Sequence, residues 1–188
     1  MEGIRSEVPG GRRIRVMFQD EARFGRVDLP RRCWAPKGLR PRCPSQIIRE
    51  YIYAYSAVCP CDGKIDSLIA PVAESDVMGI FLRQVSERFP DDYIVMFMDR
   101  AAWHTAGKLK VPENMRLEFL PPYSPELNPT EILWREVREK WFCNKVFSSL
   151  DAVEDQLMDA LSSMNQNPET VKTISSFDWI ITCPMKAT

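Results

Sequence analysis

The segment LPPYSPELNPTEILW, at residues 120–134, limits the folds open to this chain more than any other part of its sequence. Four prolines fall within nine residues, from Pro121 to Pro129, and such a run can neither form a helix nor pair inside a sheet. The pattern then becomes helical, because Asn128 is a favoured N-cap and Pro129 suits the first helical position. We therefore predict a rigid loop that delivers Glu131 at the third position of a helix.

Glu131 allows two interpretations at this point. Asn-x-x-Glu at residues 128–131 resembles a capping box, in which the glutamate side chain accepts a hydrogen bond from the N–H of the cap residue. The alternative is that the loop places this carboxylate at a functional site. The local sequence does not choose between them.

The chain has 188 residues and 45% hydrophobic content, which is enough to build the core of one globular domain. No apolar run approaches the ~20 residues of a membrane-spanning helix, and the N-terminus lacks the apolar centre of a signal peptide. We therefore expect one cytoplasmic domain over residues 1–188, with residues 1–13 as a flexible basic arm. The six cysteines are expected to be reduced thiols, and their spacing does not suggest a structural zinc site.

The net charge of −1 conceals an uneven distribution. Residues 1–50 contain 12 lysines and arginines against 6 aspartates and glutamates, whereas the remainder of the chain is acidic. A basic first quarter suits contact with phosphates, and Lys37, Arg40 and Arg42 are the candidates for such contacts. A charged face that only meets solvent is the alternative.

The first 70 residues have the pattern of antiparallel strands separated by turns. Alternating apolar residues from Ile14 predict a first strand that ends at Asp20 and Glu21. Further strands are predicted near residues 32–35, at 47–58 and at 65–70. We expect Trp34 to cover the core from its hairpin, with insertion at DNA as the alternative.

The hydrophobic period changes after this region. Ser75 is predicted to cap a helix whose apolar positions repeat at helical spacing until Pro90. Residues 93–98 are continuously apolar, as in a strand buried on both faces, and the run stops at Asp99. A shorter strand at residues 117–120 leads into the proline-rich loop. Strands joined by such crossovers predict parallel pairing, and hence a mixed α/β sheet.

The helix that starts at Pro129 is predicted to continue to about residue 142. At about 100° per residue, Glu131, Arg135 and Arg138 lie on one exposed edge beside an apolar arc. That edge is a candidate for DNA contact, and a solvated, salt-bridged edge is the alternative. A last helix is predicted from Ser149, and residues 173–182 are expected to form a strand or a turn.

Three carboxylates adjoin the ends of these predicted elements. Asp20 and Asp99 each follow a strand, and Glu131 lies at a helix start after the next strand. Ligands of α/β sheets gather beyond the carboxyl ends of strands, where connections diverge. Carboxylates that converge there repel one another unless a divalent cation neutralises them, and such oxygen ligands select Mg²⁺ or Mn²⁺. Two such ions about 4 Å apart can assist phosphodiester cleavage.

Five segments carry a family resemblance: DEARFG, WAPKG, DRAAWH, LPPYSPELNPTEILW and SSFDWI, at residues 20–25, 34–38, 99–104, 120–134 and 175–180. Together they resemble the catalytic domain of DDE transposases, in the bacterial insertion-sequence branch related to the mariner superfamily. The resemblance implies an RNase H-like fold with a mixed five-stranded sheet, and a catalytic triad of Asp20, Asp99 and Glu131. It also implies two Mg²⁺ ions held by that triad, with Mn²⁺ as a substitute. In this family such a site cuts the ends of a mobile element and joins the freed 3′-hydroxyl to target DNA.

The resemblance further implies DNA as a partner, at the element ends and at the target, and a homodimer or larger assembly. Family members usually carry helix-turn-helix modules before this domain, whereas here the first strand begins within the first two dozen residues. A split reading frame or a truncation would explain this, and a separate helix-turn-helix subunit is then a candidate partner.

Two residues near the second aspartate bear on activity. Arg100 stands where the family commonly has asparagine or glycine, and it would either pair with Asp99 or contact a DNA phosphate. His104 matches a histidine that lies near the active site in the family, and a supporting role is weighed against a packing role. A second function therefore stays open, that of a catalytically impaired remnant or regulator that binds DNA or a full-length transposase.

Overall fold

The computed structural model describes residues 11–26, 31–32, 34–42, 44–100 and 109–181. His104 and most of the expected basic arm lie outside these ranges, so the predictions made for them are not addressed by the structure.

Five strands form one mixed sheet. They are β1 (Arg13–Gly25), β2 (Tyr51–Val58), β3 (Ile65–Ala70), β4 (Asp92–Met98) and β5 (Met115–Phe119). Their order across the sheet is β3, β2, β1, β4, β5. β1, β2 and β3 pair antiparallel, whereas β4 pairs parallel with both β1 and β5. The predicted sheet, an antiparallel meander followed by parallel strands, is confirmed.

The described part of the chain also contains five α-helices. They are α1 (Ser75–Arg88), α2 (Pro129–Val137), α3 (Leu150–Gln166), α4 (Pro168–Ser175) and α5 (Asp178–Ile181). A π-helical turn, Arg138–Phe142, extends α2 to the predicted end of that helix. Ser149 caps α3 as predicted, because its side chain accepts a hydrogen bond from the N–H of Ala152. Within the described ranges, no helix is long and apolar enough to cross a lipid bilayer.

The sheet has a separate apolar core on each face. Along β1, Val16, Phe18 and Phe24 enter the core that contains the buried residues of α2, α3 and α4. Met17 enters the other core, which contains the buried residues of α1. Since alternate residues of a strand point to opposite faces, the even-numbered positions of β1 face α2. Asp20 is one of them.

β1 is longer than its sequence pattern predicts. The prediction that it ends at Asp20 and Glu21 is wrong, because the strand continues to Gly25. Its first half pairs with β4 as far as Phe18, and its second half pairs with β2 from Phe18 onward. Backbone pairing with β2 carries the strand through a polar run that reads as a strand end from side chains alone.

The connection between β1 and β2 differs most from prediction. Residues 32 and 34–35 form no strand, and β2 begins at Tyr51 rather than at residue 47. Gly25, the last residue of β1, pairs with Tyr51. The residues just before Tyr51 therefore have no β1 residue opposite them. Trp34 does not cover the core, because its side chain is 103% exposed.

Two further local predictions are wrong. Of the segment expected to form a strand or a turn, residues 173–175 lie in α4 and residues 178–181 form α5. Pro168 opens α4 at a position that suits proline, and Val171 is buried one turn later, so packing overrides the β-branched composition. Ser75 is the first helical residue of α1 rather than its cap, and Glu74 holds the cap position.

Candidate active site

The candidate site lies where β1 and β4 separate. Their parallel pairing ends with Phe18 beside Phe97, after which β1 continues along β2 alone. Asp20 follows this point on β1, and Asp99 comes directly after the last residue of β4. The backbone N–H of Leu120 donates to the carbonyl of Met98 at 2.9 Å, so the proline-rich loop also starts at the end of β4. The divergence expected of a ligand site in such a sheet is therefore present.

Side chains at the start of α2 attach the helix to β1. Thr130 donates its hydroxyl hydrogen to the carbonyl of Phe18 at 2.7 Å, and the Asn128 amide donates to the carbonyl of Gln19 at 3.0 Å. The indole N–H of Trp134 donates to Oδ2 of Asp20 at 3.1 Å. Three consecutive residues of β1 thus accept hydrogen bonds from the cap and the first two turns of α2.

The start of α2 argues against the capping-box interpretation of Glu131. Asn128 caps the helix with its side chain, which accepts a hydrogen bond from the N–H of Thr130 at 3.2 Å. The N–H of Asn128, which a capping box would direct to Glu131, donates instead to the carbonyl of Pro125 at 3.0 Å. The side chain of Glu131 is exposed. The capping box is therefore not formed, although the predicted cap and helix start are correct.

Asp20, Asp99 and Glu131 line one cavity of about 480 Å³. Arg100 and Asn128 also contribute to its wall, and residues 120–125 of the proline-rich loop complete it. The structure thus brings together the three carboxylates that the sequence singled out, and it places Arg100 beside them.

The main electrostatic feature of the cavity is that its surroundings disfavour the ionised form of Asp20. Burial first, and then the charges of Glu131, Glu21 and Asp99, raise the pKa of this carboxyl from 3.8 to about 8. Like charges in a partly desolvated site disfavour ionisation, so the carboxyl keeps its proton to a higher pH than an exposed aspartate does.

The donor set fits a hard divalent cation. Carboxylate oxygens are the ligands that Mg²⁺ and Mn²⁺ prefer. Within the described ranges, no three histidine, cysteine, aspartate or glutamate side chains are arranged to hold an ion by themselves.

The predicted DNA-contacting residues fall in two places. Arg135 and Arg138 line a second cleft of about 590 Å³ together with Arg31, and Glu131 borders both this cleft and the cavity. The edge of α2 that was predicted to be exposed thus lines this surface cleft. The guanidinium of Arg138 lies 5.2 Å from the ring centre of Phe24. The other candidates, Lys37, Arg40 and Arg42, are exposed on the connection between β1 and β2.

At helical spacing Trp134 falls in the apolar arc of α2, and the sequence predicts for it only a buried packing role. The structure buries it, as expected, but also directs its N–H at Asp20. The signal was available, because a buried indole N–H generally requires an acceptor. Tyr123 was also missed; it lines the cavity with a fully exposed side chain and a backbone φ of 57°.

Comparison with known proteins gives one family. The family model described as DDE superfamily endonuclease matches residues 15–154. The uncharacterized protein y4pE/y4sA of Sinorhizobium fredii is 35% identical over 130 residues, which cover 69% of this chain and 96% of that protein.

Solved structures with the same fold include complexes of Mos1 transposase. A pre-cleavage Mos1 transpososome matches with a TM-score of 0.62 and 12% identity, covering 100% of this chain and 61% of that chain. The Mos1 paired-end complex with the left transposon end matches with a TM-score of 0.59 and 13% identity, covering 92% and 58%. A Mos1 mariner paired-end complex with Mn matches with a TM-score of 0.56 and 15% identity, covering 87% and 56%. The chain therefore spans about three fifths of the Mos1 transposase chains it matches, and it has their RNase H-like fold.

Proposed function

The chain belongs to the DDE superfamily endonuclease family, and we propose that it is the catalytic domain of an insertion-sequence transposase. The reaction we propose is Mg²⁺-dependent cleavage of DNA phosphodiester bonds, followed by transfer of the freed 3′-hydroxyl to target DNA. The observation that supports it best is the single cavity lined by Asp20, Asp99 and Glu131 at the point where β1 and β4 separate.

In this proposal Asp20, Asp99 and Glu131 are the metal-holding catalytic residues. When bound, two Mg²⁺ ions, or Mn²⁺ in their place, would activate the attacking oxygen and stabilise the leaving oxygen. The three side chains supply negative oxygen ligands, and α2 keeps Glu131 at a constant distance from β1 through its hydrogen bonds to the strand. Beside such a cation the Asp20 carboxyl would be ionised, since a nearby positive charge favours the ionised form.

The proposed DNA path runs beside the cavity along α2. Arg135 and Arg138 line the cleft that borders Glu131, so a backbone that passes there would place a phosphate near the carboxylates. Lys37, Arg40 and Arg42 add exposed cations from the long connection. We assign supporting roles to Arg100, at the cavity wall, and to His104, which follows it in the sequence.

The partners are proposals of the same kind. Mos1 has been solved as complexes with a transposon end and as a strand transfer complex. We propose that this chain likewise acts on element ends and target DNA, as a homodimer or larger assembly, at the bacterial nucleoid. A separate helix-turn-helix subunit is our candidate for recognition of the element ends.

Nicking of supercoiled plasmid DNA by the purified chain tests this function. We expect nicking in Mg²⁺ or Mn²⁺ that is abolished by EDTA and by Asp99→Asn. Asp91→Asn is the matched control, because Asp91 is an exposed aspartate at the turn before β4. Undiminished nicking by Asp99→Asn would contradict the site assignment.

The alternative function predicts a different pattern in the same preparation. A catalytically impaired regulator would bind DNA, or a full-length transposase, without nicking even when supplied with the element ends. Arg100 at the cavity wall is the observation that keeps this alternative in view. Nicking restored by Arg100→Asn would show that the arginine impairs an otherwise complete site.

A further inference from the structure

Trp134 connects the core of the protein to the first candidate metal ligand. Its side chain is 1% exposed, and its ring packs edge-on against Phe24 with 5.9 Å between ring centres. Its Nε1–H donates to Oδ2 of Asp20 at 3.1 Å. Indole nitrogen is a donor and never an acceptor, so Oδ2 is the receiving atom whether or not the carboxyl is ionised.

The geometry around this hydrogen bond is rigid on both sides. The indole is held by close packing in the core, where a large ring has little freedom to turn. The backbone of Asp20 is held in β1, and the preceding carbonyls of Phe18 and Gln19 are bound by Thr130 and Asn128. Oδ2 of Asp20 is consequently fixed between a strand and a helix that are fastened to each other.

We infer that Trp134 is a positioning residue for the proposed metal site. By donating to Oδ2 from the buried side, it fixes the rotation of the Asp20 carboxyl that lines the cavity. Side chains that hydrogen-bond to a metal-binding carboxylate orient it in this way in other metal sites. This inference rests on the function proposed above, since it concerns the same three carboxylates.

Binding of Mn²⁺ to the full chain tests the inference without any measure of catalysis. We compare the wild type, Trp134→Phe and Trp141→Phe, with free Mn²⁺ quantified by electron paramagnetic resonance. Trp134→Phe retains an aromatic ring but has no N–H, and we expect about tenfold weaker binding. Trp141→Phe makes the same change in a partly buried tryptophan beyond α2 and should bind Mn²⁺ within about twofold of the wild type.

A second measurement keeps the inference testable if Trp134→Phe fails to fold. The protein has five tryptophans, whose indole N–H groups give separate signals in a nitrogen-correlated NMR spectrum. In the metal-free protein, Asp20→Ala should shift the Trp134 indole signal most strongly, because it removes the acceptor. A Trp134 signal that does not move would overturn the inference.

The outcomes separate this inference from the proposed function. Mn²⁺ binding that is equally tight in the wild type and in folded Trp134→Phe would overturn the positioning role alone. Absence of Mn²⁺ binding by the wild type would overturn the metal site itself, and the positioning role with it.

Discussion

Ionisation of Asp20 is costly in the folded protein, since burial and three neighbouring carboxylates raise its pKa to about 8. The folded protein therefore binds a proton at this position that the unfolded chain, with an ordinary pKa of 3.8, releases near pH 4. Between these two values, the free energy of unfolding falls as the pH rises. In the absence of a cation, the site is most stable when this carboxyl is protonated.

Replacement of Asp20 by asparagine should remove this pH dependence. In EDTA, we expect the urea midpoint of the wild type to fall between pH 5 and pH 8 relative to that of Asp20→Asn, because only the wild type ionises there. Saturating Mg²⁺ at pH 8 should raise the midpoint of the wild type and leave the variant unchanged. A difference in midpoint that stays constant with pH would show that the carboxyl of Asp20 does not titrate in this window.

Substitution of Glu131 can separate the effect of its charge on DNA cleavage from any effect on stability. Glu131→Gln removes the carboxylate but keeps the shape, and the helix cap is supplied by Asn128, so the melting temperature should be unchanged or slightly higher. DNA nicking should fall by at least about 100-fold, the upper end of what loss of an outer-shell partner costs.

Glu126→Gln is the matched control. Glu126 is an exposed carboxylate in the proline-rich loop, and it lines the arginine cleft but not the cavity. Both variants should fold, and only Glu131→Gln should lose nicking. A marked drop in the melting temperature of Glu131→Gln, with metal binding intact, would return this residue to a structural role.

At the scale of elements, α2 controls the site because it is fastened directly to β1. The hydroxyl of Thr130 is fully buried and donates to the carbonyl of Phe18, where β1 changes partners. Such a bond resists the separation of helix and strand on which the spacing of Asp20 and Glu131 depends.

Thr130→Val should therefore destabilise the protein by about 1–3 kcal/mol, since it leaves a buried carbonyl without its donor. Thr173→Val is the comparison, because the hydroxyl of Thr173 is exposed and bonds within its own helix to the carbonyl of Glu169. That change should stay within about 0.5 kcal/mol. Equal losses in urea unfolding would mean that the contact between α2 and β1 contributes no special stability.

Elements were predictable where local chemistry and tertiary pairing agree. The start of α2 follows from Asn128 and Pro129 alone, and α3 follows from Ser149 and helical periodicity. The end of β1 could not be predicted in this way, since it depends on which strand lies beside it at each position. Trp34 is exposed for the same reason. β1 ends at Gly25, so the segment that contains Trp34 is not paired with β1.

At the scale of the whole molecule, the sheet separates two surfaces. α1 covers one face, while α2, α3 and α4 cover the other, and the cavity opens on the α2 side. The positions of Asp99 after β4 and of Glu131 at the start of α2 were predictable from sequence, whereas Asp20 lies inside β1 rather than at its predicted end. Their convergence, and the hydrogen bond from Trp134 to Asp20, depend on contacts across more than 100 residues that no local pattern encodes.

Because the cavity opens on the α2 side of the sheet, we predict that DNA binds on that side. Arg135→Ala should weaken binding to any DNA sequence and reduce the slope of log affinity against log salt by about 1, as expected for one lost phosphate contact. Arg83→Ala is the control, because Arg83 is exposed on α1 at the opposite face. Salt titrations of fluorescence anisotropy measure both variants, and equal slopes would place the DNA elsewhere.

The central claim is that Asp20, Asp99 and Glu131 form one divalent-cation site, and a crystal of the protein soaked in Mn²⁺ tests it most directly. The account predicts an anomalous difference peak in the cavity, about 2.1 Å from carboxylate oxygens of Asp20 and Asp99, with Glu131 facing it. That peak should be absent from crystals of Asp99→Asn. A fully occupied Mn²⁺ peak elsewhere on the molecule, with none in the cavity, would contradict the account.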